Sequence, residues 1–333
     1  SEFKCNGPGV VIGRKGTLGT AFFLEGAYWP HDTSLWVKDF KGNDPRFCYY
    51  LLKSLGLEKY DVGSSNPTLN RNHLHLLPAR APWPDVQSRI ADILSAYDDL
   101  IENNTRRITI LKDMARRLFE EWFGSSNAEA WPEGRLRDVA EPVGKSIAPM
   151  REGATTFAHF SLPAFDGGIR PVIESGASIL SNKIKIEEPA ILLSKLNPRI
   201  PRVWPVVALP DEPSVCSTEF LPLKAREGFN YAWVLDLVRS STFQGMMRSA
   251  VGGTSTSHQR VRPEVVLDMP VRLPPSDLIQ SYATVATPLV ELASSLIEAS
   301  ANLRAARDLL LPKLISGEIE VRSAEEELEA AAA

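Results

Sequence analysis

Between residues 277 and 315 no glycine occurs, and apolar or small residues fall at Leu278, Tyr282, Val285, Leu289, Leu292, Leu296, Ala299, Leu303, Ala306 and Leu310. The steps alternate four and three, the heptad spacing of a coiled coil. No other feature constrains the fold as strongly. A helix of this length, ~55–60 Å at ~1.5 Å per residue, cannot hide such a stripe by itself. A second segment, 85–123, has the same length and a similar pattern: Val86, Ile90, Ile93, Tyr97, Leu100, Asn104, Arg107, Leu111, Met114 and Leu118. Asn104 and Arg107 interrupt this stripe, where polar groups can set register or meet a partner, unless Ile101 and Ile108 rotate in to fill the seam. Pro288 is expected to kink the later helix or delay its regular part. Two such helices can cover each other, and antiparallel pairing is expected because each leaves the C-terminal end of a globular stretch. The competing arrangement folds each helix back onto its own domain.

The stretches ahead of the two helices also correspond, at an offset of about 190 residues. "VVIGRKGTLG" at 10–19 lies over "AILLSKLNPR" at 190–199, and "HDTSLWVK" at 31–38 over "CSTEFLPLK" at 216–224. "RFCYYLLKSL" at 46–55 lies over "NYAWVLDLVRS" at 230–240, both amphipathic helices by pattern. "DVGSSNPTLNR" at 61–71 lies over "AVGGTSTSHQR" at 250–260, which sets Gly63 on Gly252 and Arg71 on Arg260. Proline-rich exits follow at 76–84 and 268–275. The letters differ; the order is preserved.

Charge and cysteine usage narrow the chemistry. The net charge is −4, but residues 1–84 carry +3 and 125–276 carry +1, whereas 277–333 carry −6, much of it in the tail "SAEEELEAAAA". Mildly basic globular stretches permit contact with phosphates. Cys5, Cys48 and Cys216 are isolated and lack CxxC spacing, which suits a reducing cytoplasm and argues against a disulfide framework or a zinc site. No apolar run has the ~20 residues a membrane helix needs. No metal cluster, nucleophile–base pair or cofactor loop stands out, so no residue is assigned to catalysis. Asn66-Pro67-Thr68 approaches an amino-methyltransferase tetrad, but Leu69 stands where an aromatic would stack on a flipped base. "GRKGTLG" is likewise not a dinucleotide loop.

Two pairs of loops carry groups suited to reading DNA. "GSSNPTLNR" supplies Ser64, Ser65, Asn66, Thr68, Asn70 and Arg71; "GGTSTSHQR" supplies Thr254, Ser255, Thr256, Ser257, His258, Gln259 and Arg260. Such donors and acceptors match base edges, and glycine allows close backbone approach. A solvated surface turn is the competing reading. The second pair, with Arg14, Lys15 and Thr17 in one repeat and Lys195, Asn197, Arg199 and Arg202 in the other, concentrates positive charge after apolar strands. Phosphate clamping is its functional reading.

The order domain–helix–domain–helix, with the phrases "DPRFCYYLL" at 44–52, "LNRNHLHLLPARAPWPDVQSRIADILSAYDDLIENN" at 69–104 and "LLLPKLISGEIEV" at 309–321, resembles the DNA-specificity subunit of type I restriction–modification systems. The resemblance implies an α+β fold: two similar, mixed target-recognition domains joined by two long antiparallel coiled-coil helices. Its domains would be 1–84 (recognition domain 1, partial), 85–124 (spacer helix 1), 125–276 (recognition domain 2), 277–316 (spacer helix 2) and 317–333 (a flexible tail). By the repeat offset, the first domain is expected to lack roughly its opening third. The resemblance further implies a cytoplasmic, non-catalytic reader of a bipartite site on double-stranded DNA. Its protein partners would be methyltransferase subunits and, beyond them, a restriction-translocase subunit. It would hold no cofactor of its own, S-adenosylmethionine being expected on the methyltransferase. The alternatives are a scaffold or decoy that binds methyltransferase without reading DNA, and a fragment of a fused methyltransferase.

Overall fold

The computed structural model describes residues 4–61, 68–124, 129–251, 259–324 and 326. The chain divides into two compact units, one running to Glu102 and resuming at Asn302, the other spanning Asn103–Ala301.

In the first unit β1 (Gly9–Gly13), β2 (Ala21–Leu24) and β3 (Ser34–Trp36) form an antiparallel sheet in the order β2-β1-β3. Helix α1 (Pro45–Ser54) starts where Asp44 accepts the Phe47 N–H at 2.7 Å, with Pro45 in the first turn. It buries Phe47 and Tyr50. A short α2 (Arg71–Leu74) leads to α3 (Pro84–Phe123).

The second unit opens with β4 (Glu133–Arg135), α4 (Leu136–Val139), β5 (Ala140–Pro142), β6 (Lys145–Ile147), β7 (Thr156–Phe160), α5 (Leu162–Asp166), β8 (Val172–Ser175) and β9 (Lys183–Ile186). There follow β10 (Ala190–Ser194), β11 (Val203–Val206), β12 (Ser214–Ser217), β13 (Phe220–Ala225), α6 (Tyr231–Arg239), α7 (Ser241–Ser249), α8 (Pro263–Leu267), β14 (Pro270–Arg272) and α9 (Ser276–Ser316). One sheet has the order β11-β10-β13-β5, another β6-β9-β12-β7-β8, and β14 pairs with β4. Strand β10, buried at all five positions, is the centre of the first, as its unbroken apolar run requires. Asn230 caps α6 by accepting the Ala232 N–H at 2.7 Å.

The internal repeat is thus structural. β1, β2, β3, α1, α2 and α3 recur in order as β10, β11, β13, α6, α8 and α9, and in both sheets the first of these strands lies between the other two. The five-stranded sheet β6-β9-β12-β7-β8 belongs to the second unit alone.

The long helices pair antiparallel within each unit. In the first, Ile90, Ile93, Leu94 and Tyr97 near the start of α3 share a core with Leu310, Leu311 and Leu314 near the end of α9, and with Phe47 and Tyr50 of α1. In the second, Phe119, Trp122 and Phe123 at the end of α3 surround Tyr282 near the start of α9, with ring centroids 6.0, 5.8 and 5.0 Å away. Phe123 also meets Trp233 of α6 at 6.2 Å. The two competing arrangements therefore coexist: the start of each helix packs both on its own domain and on the end of the partner helix.

The seam differs from the heptad read in the sequence, in the same way on both helices. On α3 one line holds, Ile90, Tyr97, Asn104, Leu111 and Leu118, all buried or half-buried. The second line moves one residue onward: Leu94, Ile101, Ile108 and Ala115 turn inward, whereas Arg107 and Met114 are exposed. On α9 the line Tyr282, Leu289, Leu296, Leu303 and Leu310 holds, but Ala286, Ala293 and Ser300 face inward in place of Val285, Leu292 and Ala299. The larger residues looked like core, yet Val285 is 46% and Leu292 41% exposed while Ala286 is 0%. Small residues in the seam let helices approach closely, and on a helix apolar around much of its circumference the bulkier stripe need not be the buried one. Ile101 and Ile108 do rotate in, and Asn104 stays buried beside them. Pro288 does not delay α9, which is already regular at Ser276; it is exposed, so water can reach the carbonyl left without a partner.

Candidate nucleic-acid interface

In the first unit β1 ends at Gly13 and runs into the loop bearing Arg14, Lys15 and Thr17. The N–H groups of Arg14 and Lys15 both donate to the Thr33 carbonyl, at 3.0 and 3.2 Å. Gly13 is required here, because a Cβ would lie 2.1 Å from the Thr17 carbonyl oxygen. The segment after 67 is stitched to this loop. The Leu69 N–H donates to the Arg14 carbonyl at 3.2 Å, and Arg14 Nε donates back to the Leu69 carbonyl at 3.3 Å. Leu69 itself is fully buried. The sequence thus places two loops 55 residues apart, and the fold makes them neighbours.

The second unit repeats the stitch. The Val261 N–H donates to the Lys195 carbonyl at 3.1 Å, and the Asn197 N–H to the Gln259 carbonyl at 2.8 Å. Val261 is buried, as Leu69 is. This equivalence corrects the sequence overlay by three residues: Leu69 matches Val261, so Arg260 corresponds to Thr68 and not to Arg71. Chain geometry decides the point, since the stitched residue precedes the short helix by two positions in both copies, α2 at Arg71 and α8 at Pro263.

The individual candidates fare differently. Lys15, Thr17, Arg71 and Arg199 are exposed, and the charged three have no ion-pair partner among the described residues. The Thr68 N–H donates to Asp61 Oδ1 at 2.8 Å. Asn70 is committed locally, its Oδ1 capping α2 by accepting the Asn72 N–H at 3.0 Å. Asn197 sits in the left-handed region at φ 47°, and its buried Oδ1 has no hydrogen-bond partner among the described residues. Arg202 is clamped on Asp166 through Nε and Nη2 at 2.7 and 2.8 Å. Arg260 grips Glu219 in the same bidentate manner at 2.9 and 2.6 Å. Lys195 is half-buried, and desolvation lowers its pKa against the opposing pull of Glu219. Ser64, Ser65, Asn66, Thr254, Ser255, Thr256, Ser257 and His258 lie outside the described residues.

Sequence reading missed Glu219 and Asp166, which neutralise Arg260 of the expected base-reading loop and Arg202 of the expected phosphate-clamping loop across 41 and 36 residues. No local pattern signals such pairs. It also passed over Lys145 and Lys185, register partners on β6 and β9 that put two cations on one sheet face. Lys185 leans on Glu187 at 2.7 Å, while Lys145 has no ion-pair partner among the described residues.

Residues 1–112 match the family model described as the type I restriction modification DNA specificity domain. The MjaIX type I restriction enzyme specificity subunit of Methanocaldococcus jannaschii is 24% identical over 307 residues, covering 83% of this chain and 69% of that protein. By family model and by relative, the chain is similar to type I DNA-specificity subunits. The crystal structure of the type I restriction–modification S subunit from M. genitalium shares the fold, with a TM-score of 0.58 at 16% identity over 94% of this chain and 84% of that one. The matched model and the matched relative are both named for DNA specificity, not for catalysis.

Burial pushes the Cys48 thiol up to about 11 and the Cys216 thiol up to about 12, so neither is a ready nucleophile at neutral pH. Among the described residues no group of three His, Cys, Asp or Glu side chains is arranged to hold a metal ion. No helix among them is long and apolar enough to cross a membrane.

Proposed function

We propose that the chain reads a bipartite double-stranded DNA site, one half through residues 1–84 and the other through 125–276. Helices 85–124 and 277–316 act as the spacer, and 317–333 form a tail outside the reading units. One observation carries this reading: the same backbone stitch, Leu69 to Arg14 and Val261 to Lys195, holds the basic loop against the polar segment in both repeats. Two unrelated surface turns would have no reason to share it. Among the described candidate residues Lys15, Arg71 and Arg199 are free cations suited to phosphate, and Gln259 with its neighbours is suited to base edges. Arg202 and Arg260 would reach DNA only by leaving Asp166 and Glu219, so in the free protein they position the loops.

Methyltransferase subunits dock on the outward faces of the paired helices, where Ile110 and Met114 of α3 and Val285 and Leu292 of α9 stand 41–57% exposed. Exposed apolar residues at helical spacing suit a partner helix. S-adenosylmethionine is held by that partner, a restriction-translocase subunit completes the complex, and the assembly works in the cytoplasm.

Replacing Thr256, Gln259 and Arg260 together by Ala tests the reading. Selection of bound sites from a random duplex pool is expected to return a relaxed second half-site with nonspecific affinity nearly retained. An unchanged consensus removes this loop from the reading surface.

A further inference from the structure

Within the second unit a cavity of about 250 Å³ opens between α3, α6 and the turn after α5. Its walls are mainly apolar, with Phe119, Phe165, Ile169 and Val203 prominent, and Lys112 and Arg239 lie in them together. The same two cations and Ile169 also line a smaller adjoining cavity of about 20 Å³, so both charges sit where the two spaces meet. We propose that this cavity binds a small organic anion: one carboxylate-type charge held between Lys112 and Arg239, and a flat apolar body against Phe119, Phe165 and Ile169.

The charge balance of the walls supports the assignment. Arg116 is already saturated, by Glu120 at 3.0 and 2.9 Å and by Asp113 at 2.6 Å. Asp236 lies 3.7 Å from Arg239, but its Oδ2 is taken by the Tyr282 hydroxyl at 2.7 Å. Lys112 has no ion-pair partner among the described residues. One carboxylate therefore faces two cations beside an apolar space, with Arg239 half-buried and Lys112 also open to solvent. Burial raises the Asp236 pKa, which weakens the one carboxylate opposing the two cations, whereas desolvation and Arg239 lower that of Lys112, a cost that a bound anion would offset.

The backbone supplies a second, independent observation. Ile169 adopts φ 59°, a left-handed conformation that a β-branched residue takes only under strain. Strain of this kind persists where surrounding structure enforces it, and it gathers at ligand clamps and switch segments. Here it follows Gly167 and Gly168 and points the chain at the cavity wall. The space exceeds the roughly 150 Å³ apolar cavity that takes up benzene, so a fused two-ring acid is a suitable size of probe.

The test is isothermal titration calorimetry of the full chain with 2-naphthoate and with its uncharged isostere 2-naphthamide. Naphthoate is expected to bind one per chain, at least tenfold more tightly than the amide. Lys112→Gln should weaken naphthoate at least fivefold while leaving the amide unchanged, and Phe165→Ala should weaken both. Circular dichroism melts of the two variants confirm that the fold survives. Equal affinity for acid and amide, indifference to Lys112→Gln, or no saturable uptake at millimolar ligand each overturns the proposal. DNA reading is not involved in the measurement, so either conclusion stands without the other.

Discussion

In the first unit the tyrosine that ties the globular helix to the long helices is Tyr50 of α1, whose hydroxyl donates to Asp98 of α3 at 2.7 Å; the same carboxylate takes Arg307 of α9. In the second unit the parts are exchanged. Tyr282 belongs to the long helix α9 and donates at 2.7 Å to Asp236 of the globular helix α6, which also carries Arg239. Burial and the adjoining carboxylate raise both phenol pKa values, so both hydroxyls stay protonated as donors. The repeat therefore conserves a tyrosine–aspartate–arginine lock at the helix junction while swapping which element supplies each member. The copies also differ in depth: Asp98 is 29% exposed, Asp236 only 4%. A buried lock makes the carboxylate indispensable to its neighbours, whereas a half-exposed one leaves water as a substitute.

The largest contrast should appear when the carboxylates are removed. Asp236→Ala strands Arg239 in the interior and is expected to cost about 3–5 kcal/mol. Asp98→Ala should cost about 1–3 kcal/mol, because Arg307 keeps Asp308 at 2.7 Å. Urea unfolding midpoints compare the two, and equal losses would break the distinction. Removing only the hydroxyls sharpens it on a smaller scale: Tyr282→Phe is expected to lose about 1–3 kcal/mol and Tyr50→Phe about 1 kcal/mol.

A third difference is a histidine on the five-stranded sheet that only the second unit has. His159 of β7 holds Glu174 at 2.7 Å, and its Nε2 is buried without a partner among the described residues. Desolvation, opposed by the Glu174 hydrogen bond, leaves its pKa below the usual 6.5. With the folded value depressed, the unfolded chain takes up the proton first. The stability present above pH ~6.5 is then lost as pH falls toward the folded value, by at most ~1.4 kcal/mol per pH unit. Melting curves of His159→Gln should lack that component between pH 7 and 5; an identical pH dependence would dismiss it.

The smallest effect concerns the interface. Arg14 of the first unit rests on a backbone carbonyl, whereas Arg202 of the second rests on Asp166. Asp166→Asn should change stability by no more than ~1 kcal/mol, because the carboxylate end of the pair is exposed to water. Freeing Arg202 should also steepen the salt dependence of DNA binding by about one unit in log–log slope. An unaltered slope would place Arg202 away from phosphate.

Much of the organisation was legible because it is written in periodicity. The two long helices, the strand-loop-helix order of each repeat and the apolar faces of α1 and α6 follow from patterns that local physics enforces. The seam was legible only in half. Val285 and Ala286 are adjacent on a helix apolar on more than one side, and nothing local says which will face the partner. The site was legible as two pairs of loops, but not as one surface in each unit. Thr68, not Arg71, is the structural counterpart of Arg260, and Glu219 and Asp166 reach arginines 41 and 36 residues away. These are contacts between loops and element ends that only the folded chain brings together.

What the sequence determined alone is the duplication and the two helices, since amphipathic spacing and chain order act over a few residues and survive in any compact state. Tertiary structure decided which stripe is buried, which element carries each member of the tyrosine lock, and which arginines are already matched by carboxylates. Those outcomes depend on distances between segments far apart in the chain, where close packing and the cost of an unpaired buried charge select among arrangements the local pattern leaves equal.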